Sequence, residues 1–566
     1  MTRGLTAAEA VAGSLVTAVA AAAISAYLLN SIGASIAPVP VLIFSLVTGA
    51  AACYRWWPIG PLPTGSRSDL LIFAAVVATV FGALVWLAWP ELLPLGGGSD
   101  LTHHLQLVDF IDRRWHLART AADAMLIGNM VNYTPGFHLV ASLAGAWGRT
   151  DGLHAVYVVL AASVAVKSGL VFLIARRTLT SADGERVEAR AADAPAALAI
   201  AAVALLFLPD DYLIGSFARF SFLSQVLSEM FAVAMWMALA AWYVRQSAAA
   251  AVLFGVAGAA AFLTWPVFVG PPILVLAGGV LLVTARNVSS SIRLRHAALA
   301  LVPIALVAVV HASGRIESVA IVRSGGSAFE PAIARFGWLF VALASAGAVI
   351  AFIDRRATMT AWLLAAVGLQ TAALFVVAYV SQADSPYLAL KMLHFAIYPM
   401  AVAGALTLDW VFYAVRRLLP SRWQASLVVP AATWLVIIGS SVAVARRFVA
   451  IRRPPPAITE DLFRAGQFAR ANAQPDCIEY LVPQDSTSYW LYLAVLGNPS
   501  HPRSGTLPSI FVYQEALVRW ITRSSYPVTI ADLSVVPREV RDDADVLAQF
   551  GQIIVGRRRG SSGCGK

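Results

Sequence analysis

The sequence predicts an all-α polytopic membrane protein of about thirteen spans, followed by a small C-terminal α/β domain outside the membrane. Three observations predict it. Of 566 residues, 59% are hydrophobic and only 13% are charged, whereas an ordinary soluble domain carries roughly a quarter charged residues. Apolar runs recur along most of the chain at the ~20-residue length that crosses a bilayer. After Pro454-Pro455-Pro456, a stiff linker, the chain returns to ordinary soluble polarity.

The spans are placed at 8–30, 38–54, 70–89, 153–175, 195–208, 224–244, 248–264, 266–284, 296–312, 336–353, 359–380, 390–415 and 426–445. The first lacks a basic n-region and exceeds a signal h-region, so it reads as a retained span. The fifth is short, and only Trp265-Pro266 parts the seventh from the eighth. Arginines in short loops set the orientation. A cytoplasmic N-terminus puts Arg55, Arg67, Arg176, Arg177, Arg286, Arg293, Arg295, Arg355, Arg356, Arg416, Arg417 and Arg422 inside. Arg446-Arg447 and Arg452-Arg453 then fall outside. Either they snorkel to headgroups or the count is off by one.

The formal charge of +10 therefore reads as cytoplasmic arginine loops. No basic-aromatic nucleic-acid motif accompanies it. Lysine occurs only at Lys167, Lys391 and Lys566, an arginine bias that fits a GC-rich bacterial genome. Cys53 lies in a span, and Cys477 and Cys564 can pair only if the tail is exported. No cysteine spacing suggests zinc.

On this topology the membrane domain is 1–453, with outer-face segments 90–151, 209–221, 312–335 and 382–391, and the exported domain is 454–566. In the tail, 478–482, 527–530 and 552–555 read as strands and 509–522 as a helix. No period suggests a repeat fold.

The outer segments hold the chemistry. After Gly96-Gly97-Gly98, Ser99 or Asp100 caps a helix over 101–119. Its apolar spacing suits an amphipathic helix lying at the interface. Asp100, His103, His104 and Leu107 then share a face, and the cluster suits a general base or a divalent-metal site. The plainer alternative is a capping carboxylate with interfacial histidines. Tyr133-Thr134-Pro135-Gly136-Phe137-His138 reads as a turn opening an apolar helix that ends near Trp147. Asp210-Asp211 can hold a metal or a basic group, or simply be solvated, and Arg219 follows on the same face. Tyr387, Lys391 and His394 stand at i, i+4 and i+7 on one helix face, where the lysine suits a phosphate; snorkelling is the alternative. Lys167, inside a span, costs roughly 2.5–3.5 kcal/mol on insertion scales unless it snorkels or pairs with an acid such as Glu229. No P-loop, Rossmann fingerprint, serine elbow or metalloprotease motif is present.

Together these features resemble the GT-C superfamily of integral-membrane glycosyltransferases. Asp100-Leu101-Thr102-His103-His104-Leu105 resembles the Asp-x-x-x-His-Leu element of oligosaccharyltransferase-like members. Residues 133–138 resemble their Tyr-Pro-Pro-Gly-Phe-His stretch. Pro386-Tyr387 to Lys391 resembles the Tyr-Tyr-x-x-x-Lys element of bacterial arabinofuranosyltransferase-like members, with Leu388 in place of the second tyrosine. The acidic loop follows the third span here and the first in many members.

The resemblance implies a multi-pass enzyme of the bacterial plasma membrane. Its donor would be a polyprenyl-phosphate-linked sugar, and its acceptor a glycan, lipid or protein of the cell envelope. Asp100 would be the general base of an inverting displacement. Lys391 and Arg219 would stabilise the departing phosphate, and His103, His104, His138, Tyr387 and His394 would line the substrate. Asp210 and Asp211 could complete a metal site with Asp100 and His104, for Mg, Mn or Ca. The rival readings are a transporter or flippase, which would account for Lys167, Glu229 and the Trp265-Pro266 break, a lipid-linked glycan polymerase or ligase of another fold, and a non-catalytic scaffold.

Overall fold

The computed structural model describes residues 5–58, 64–95, 99–180, 194–209, 222–282, 289–314, 333–383, 385–418, 456, 458–474, 477–495, 511–523 and 526–561, with isolated positions between 431 and 446. Among the described residues of the membrane region, the named elements are all helices. In order, the helices are α1 (Ala7–Ser31), α2 (Pro38–Trp56), α3 (Thr64–Ala88), α4 (Ser99–Arg114), α5 (Ala121–Ile127), α6 (Gly136–Trp147), α7 (Gly152–Thr180), α8 (Ala194–Leu205), α9 (Leu223–Arg245), α10 (Ala248–Thr264), α11 (Gly270–Leu282), α12 (Ser290–Gly314), α13 (Trp338–Ile353), α14 (Thr358–Val380) and α15 (Tyr387–Leu418). Eight helices among the described residues are long and apolar enough to cross a bilayer, and four apolar helices are shorter. The first twelve of the thirteen expected spans thus coincide with a described apolar helix, and the last, 426–445, lies mostly outside the described residues.

Burial separates the inner helices from the outer ones. In α7 and α9 most of the apolar stretch is covered by protein, whereas α2, α3, α12 and α14 leave most of theirs open. Ile43, Leu46, Val47, Leu71, Val302, Val309, Leu369 and Val376 are exposed on those outer helices. Contiguous apolar surface of this kind suits lipid contact. Lys167 on α7 donates to Glu229 on α9 at 2.6 Å, and both are buried. Glu229 also accepts from Gln225 at 2.9 Å and from the Tyr398 hydroxyl of α15 at 2.6 Å. The buried pair therefore ties three central helices together and meets the hydrogen-bonding demand that makes such burial tolerable.

Two sets of contacts define the ends of the bundle. At one, Thr6 and Glu9 form a capping box that starts α1, and Glu9 receives Arg177 from the end of α7 at 2.6 Å. Arg176 meets Asp69, near the start of α3, at 2.8 Å. At the other end, Ile36 donates to the Trp115 carbonyl at 2.8 Å and Leu117 to the Asn30 side chain at 2.9 Å. This second end carries α4, α6 and the C-terminal domain.

The C-terminal domain has α16 (Glu460–Asn472), β1 (Ile478–Leu481), α17 (Asp485–Trp490), α18 (Tyr513–Ile521), β2 (Val528–Asp532), α19 (Arg538–Asp543), β3 (Ala544–Phe550) and β4 (Ile553–Arg558). The sheet order is β1-β2-β4-β3, with β1 parallel to β2 and the other pairs antiparallel. The three strands and the helix expected from sequence correspond to β1, β2, β4 and α18. Sequence missed β3 because this edge strand exposes Val546 and Leu547 and bulges between Val546 and Ala548, so no clean alternation shows. It also missed α16. Cys477 is disulfide-bonded and Cys53 is free.

The domain docks on the membrane region through charged contacts. Arg470 of α16 donates to Asp109 of α4 at 2.8 Å, and Arg113 bonds the same carboxylate. His154, at the start of α7, lies between Asp151 and Glu460, 2.9 Å from each. The Glu460 amide donates to Glu91 at 3.1 Å. Burial pushes the Asp109 carboxyl up to about 7, against the pull of Arg470 and with Asp151 adding to the rise. A carboxyl raised in the folded state disfavours folding as pH climbs from the ordinary carboxylate value through about 7. The melting temperature of wild type should therefore fall relative to Asp109→Asn, which cannot ionise, between about pH 5 and pH 8. A gap that stays constant across that range would contradict the titration.

Candidate functional site

The helix beginning at Ser99 forms as expected, with Asp100 in its first turn. Protein covers it on two sides. Leu101, Leu105, Val108 and Ile111 are buried, but so are Thr102, His104, Gln106 and Asp109. The bundle covers one side, and the C-terminal domain reaches the other through Arg470 and Tyr489. The helix stops at Arg114 rather than 119, because Trp115 takes a left-handed backbone, φ 50°.

His103 meets the Tyr489 ring edge-on at 6.4 Å. His104, one turn after Asp100, turns inward instead. Its Nδ1 is 2.9 Å from His138 Nε2, and the two rings stack at 5.1 Å. One nitrogen of that contact must donate and the other accept, so the pair shares a single proton there. Burial, reinforced by the neighbouring His104 ring, holds His138 well below the usual histidine range, although the Pro135 carbonyl pulls the other way. Held at this distance, His138 fixes the orientation of the His104 ring.

The segment 133–138 builds this contact residue by residue. The Tyr133 ring stands edge-on to His104 at 5.0 Å and to His138 at 5.7 Å, and is tilted against Trp265 at 6.1 Å. Thr134 donates its hydroxyl to the Thr264 carbonyl at 2.8 Å. A Cβ at Gly136 would lie 2.7 Å from the Thr264 hydroxyl and 2.8 Å from the Leu263 carbonyl, so only glycine allows this approach. Gly136→Ala should cost about 1–3 kcal/mol of stability, as overpacking does, and should displace His138 from His104. Unchanged melting in detergent would show that the backbone yields freely.

The break between α10 and α11 receives this segment. There the short 3₁₀ turn Pro266–Val269 interrupts the helix, and carbonyls left over by the break are capped by side chains. Thr134 serves Thr264, Ser228 serves Trp265 at 3.0 Å, and Gln370 serves Val267 at 2.7 Å. Broken helices at membrane depth need such replacement partners. The break aligns Trp265 with the third segment, its ring edge-on to Tyr387 at 6.5 Å. Lys391 Nζ lies 5.2 Å from the centre of the Tyr387 ring and also packs on Phe222, and Lys391 is buried. His394, one turn further, faces Phe222 at 6.4 Å. Beside Tyr387 a shallow cleft is lined by Leu374, Val377, Ala378, Ser385 and Pro386.

The structure thus brings His104, His138, Tyr387, Lys391 and His394 into one connected set, with His103 at its border with the C-terminal domain. The side chain of Asp100, and the whole of Asp210, Asp211 and Arg219, lie outside the described residues. Among the described residues no three His, Cys, Asp or Glu gather as a metal site. Of the four expected ligands only His104 has a described side chain, and its Nδ1 is engaged by His138. Sequence missed Trp265 and Tyr133 as the links between motifs. The signal available was an aromatic residue at the break of an apolar helix, which reads equally well as a packing residue.

Compared with known proteins, the chain matches no family model and no curated protein. Among solved structures similar to it is the archaeal oligosaccharyltransferase AglB from Archaeoglobus fulgidus, in complex with an inhibitory peptide and a dolichol-phosphate. The two share 12% identity at a TM-score of 0.48 over 82% of this chain and 69% of that one. ArnT from Cupriavidus metallidurans, bound to undecaprenyl phosphate, shares 15% identity at 0.47 over 88% of this chain and 99% of that one. The arabinosyltransferase EmbB from Mycobacterium smegmatis shares 13% at 0.41 over 74% and 44%.

Proposed function

We propose that this chain is a membrane glycosyltransferase. It moves a sugar from a polyprenyl-phosphate carrier to a cell-envelope glycan, lipid or protein on the outer face of a bacterial plasma membrane. The observation that carries the reading is the convergence of three separated motif segments at one end of the bundle. His104, His138, Tyr133, Trp265, Tyr387 and Lys391 form a continuous run of contacts.

In this reading Asp100 takes the proton of an acceptor hydroxyl as its oxygen attacks the anomeric carbon. The bond from that carbon to the carrier phosphate breaks, and the electron pair leaves with the phosphate. One displacement inverts the anomeric centre. Lys391, with Arg219, stabilises the charge that develops on the phosphate. His104 is oriented by His138, and together with His103, Tyr387 and His394 they line the substrate. Asp210 and Asp211, with Asp100 and His104, have the oxygen and imidazole donors that suit Mg, Mn or Ca; no step of the transfer is routed through a metal.

The orientation has two supports. The arginine contacts of Arg176 and Arg177 lie at the end of the bundle opposite the site, as a cytoplasmic N-terminus requires. A disulfide-bonded Cys477 suits an exported domain. Nucleotide sugars are not expected there, so a lipid carrier must present the donor. The features that would favour a transporter, the Lys167–Glu229 pair and the helix break, have structural partners that hold them in place.

The test is transfer by purified protein in lipid, supplied with polyprenyl-phosphate sugars. Lys391→Ala should lower the rate about 10²–10³-fold, the scale for removing one group that stabilises transition-state charge. Uptake into sealed vesicles without any covalent product would instead establish a transporter.

A further inference from the structure

Trp265 takes no part in the transfer step as proposed, yet its place between two motif segments sets it apart from Trp236, Trp490 and Trp520, whose buried indole nitrogens also lack a hydrogen-bond partner among the described residues. It is 6% exposed, and its Nε1 has no hydrogen-bond partner among the described residues. A buried indole N–H usually finds an acceptor. The Trp265 backbone is held on both sides. The Trp265 amide donates to Ala261 at 2.8 Å, and its carbonyl accepts from Ser228 at 3.0 Å. Its ring neighbours are Tyr133 and Tyr387, one from each of two motif segments, and Tyr387 in turn lies under Lys391.

We infer that Trp265 contacts the lipid-linked substrate, its indole N–H donating to an oxygen that the protein does not supply. This rests on the glycosyltransferase reading above. The acceptor is either a phosphate oxygen of the carrier or a hydroxyl of the sugar it bears. A hydrocarbon tail cannot satisfy the N–H, so the contact belongs to the polar head of the donor. The helix break then has a purpose in binding, since a continuous helix would not leave the residue at 265 extended, with φ −154°, between the two tyrosines.

The experiment compares W265F, which keeps an aromatic ring without the donor, with W265H, which keeps a ring N–H. Each is tested for binding of polyprenyl phosphate alone and for KM and kcat with the sugar-loaded donor. W265F should weaken one of the two, by roughly ten- to a hundred-fold if the acceptor is a charged phosphate oxygen and by roughly two- to ten-fold if it is a neutral sugar hydroxyl, and W265H should recover part of the loss. Weakened binding of polyprenyl phosphate assigns the contact to phosphate; a raised KM for the loaded donor alone assigns it to the sugar. Equal behaviour of W265F and W265H overturns the hydrogen bond even if both melt lower than wild type. Wild-type values in W265F, with transfer lost in Asp100→Asn, overturn the inference and leave the transferase reading standing. A wild-type protein that neither binds polyprenyl phosphate nor transfers sugar overturns both.

Discussion

Asp100→Asn should lower sugar transfer about 10²–10⁴-fold, the range for loss of a positioned general base, while leaving the affinity for polyprenyl phosphate nearly unchanged. Asparagine occupies the same volume in the first turn of α4 but cannot accept the proton of the acceptor hydroxyl. The expected loss is therefore in kcat at saturating donor. The backbone position supports the assignment: Asp100 stands one helical turn before His104, whose imidazole is locked by His138 at 2.9 Å. A rate in Asp100→Asn equal to wild type would move the base elsewhere on this helix. His138→Ala is the informative companion, because it should reduce the rate by unlocking His104 without removing any group assigned to proton transfer.

The second large effect is on stability. Lys167→Met removes the counter-charge from Glu229 in the interior of the bundle, where the two atoms lie 2.6 Å apart and both residues are buried. Removing one partner of a buried ion pair typically costs 3–5 kcal/mol, because the remaining charge is stranded. Thermal unfolding in detergent should show this as a marked drop for the single variant. Lys167→Met combined with Glu229→Gln should be much closer to wild type, since the pair is then replaced by neutral groups and the Tyr398 hydroxyl keeps an acceptor. If the double variant unfolds as early as the single, the pair's worth lies in packing rather than charge. If the double variant folds well yet binds no donor, the pair has a functional role as well.

Local pattern carried a good deal of this molecule into view. The start of α4 at Ser99, the start of α6 at Gly136 and the start of α15 at Tyr387 each follow from a short run of residues. A glycine-rich stretch precedes the first, a Pro-Gly turn opens the second, and a proline stands before the third. The strands 528–532 and 553–558 are dense in β-branched residues, and 478–481 carries Ile478 and Tyr480. By contrast, nothing local distinguishes an interfacial amphipathic helix from one clamped on both sides. The polar face of α4 holds Asp109 and Gln106, which a sequence reader assigns to water. In the structure Asp109 meets Arg470, 361 residues away, and its desolvation raises its carboxyl to about 7.

Composition and periodicity by themselves determined that this chain is a polytopic helical membrane protein with a polar C-terminal domain. They also picked out the polar motifs that stand between apolar spans, because helix formation, turn chemistry and bilayer length are encoded over windows of about twenty residues or fewer. Only the tertiary structure decided that these motifs touch. The run from His104 through Tyr133 and Trp265 to Lys391 depends on a close approach at Gly136 and on side-chain caps at a broken helix. Such contacts join residues far apart in the chain through packing and hydrogen bonds that leave no periodic trace in either segment.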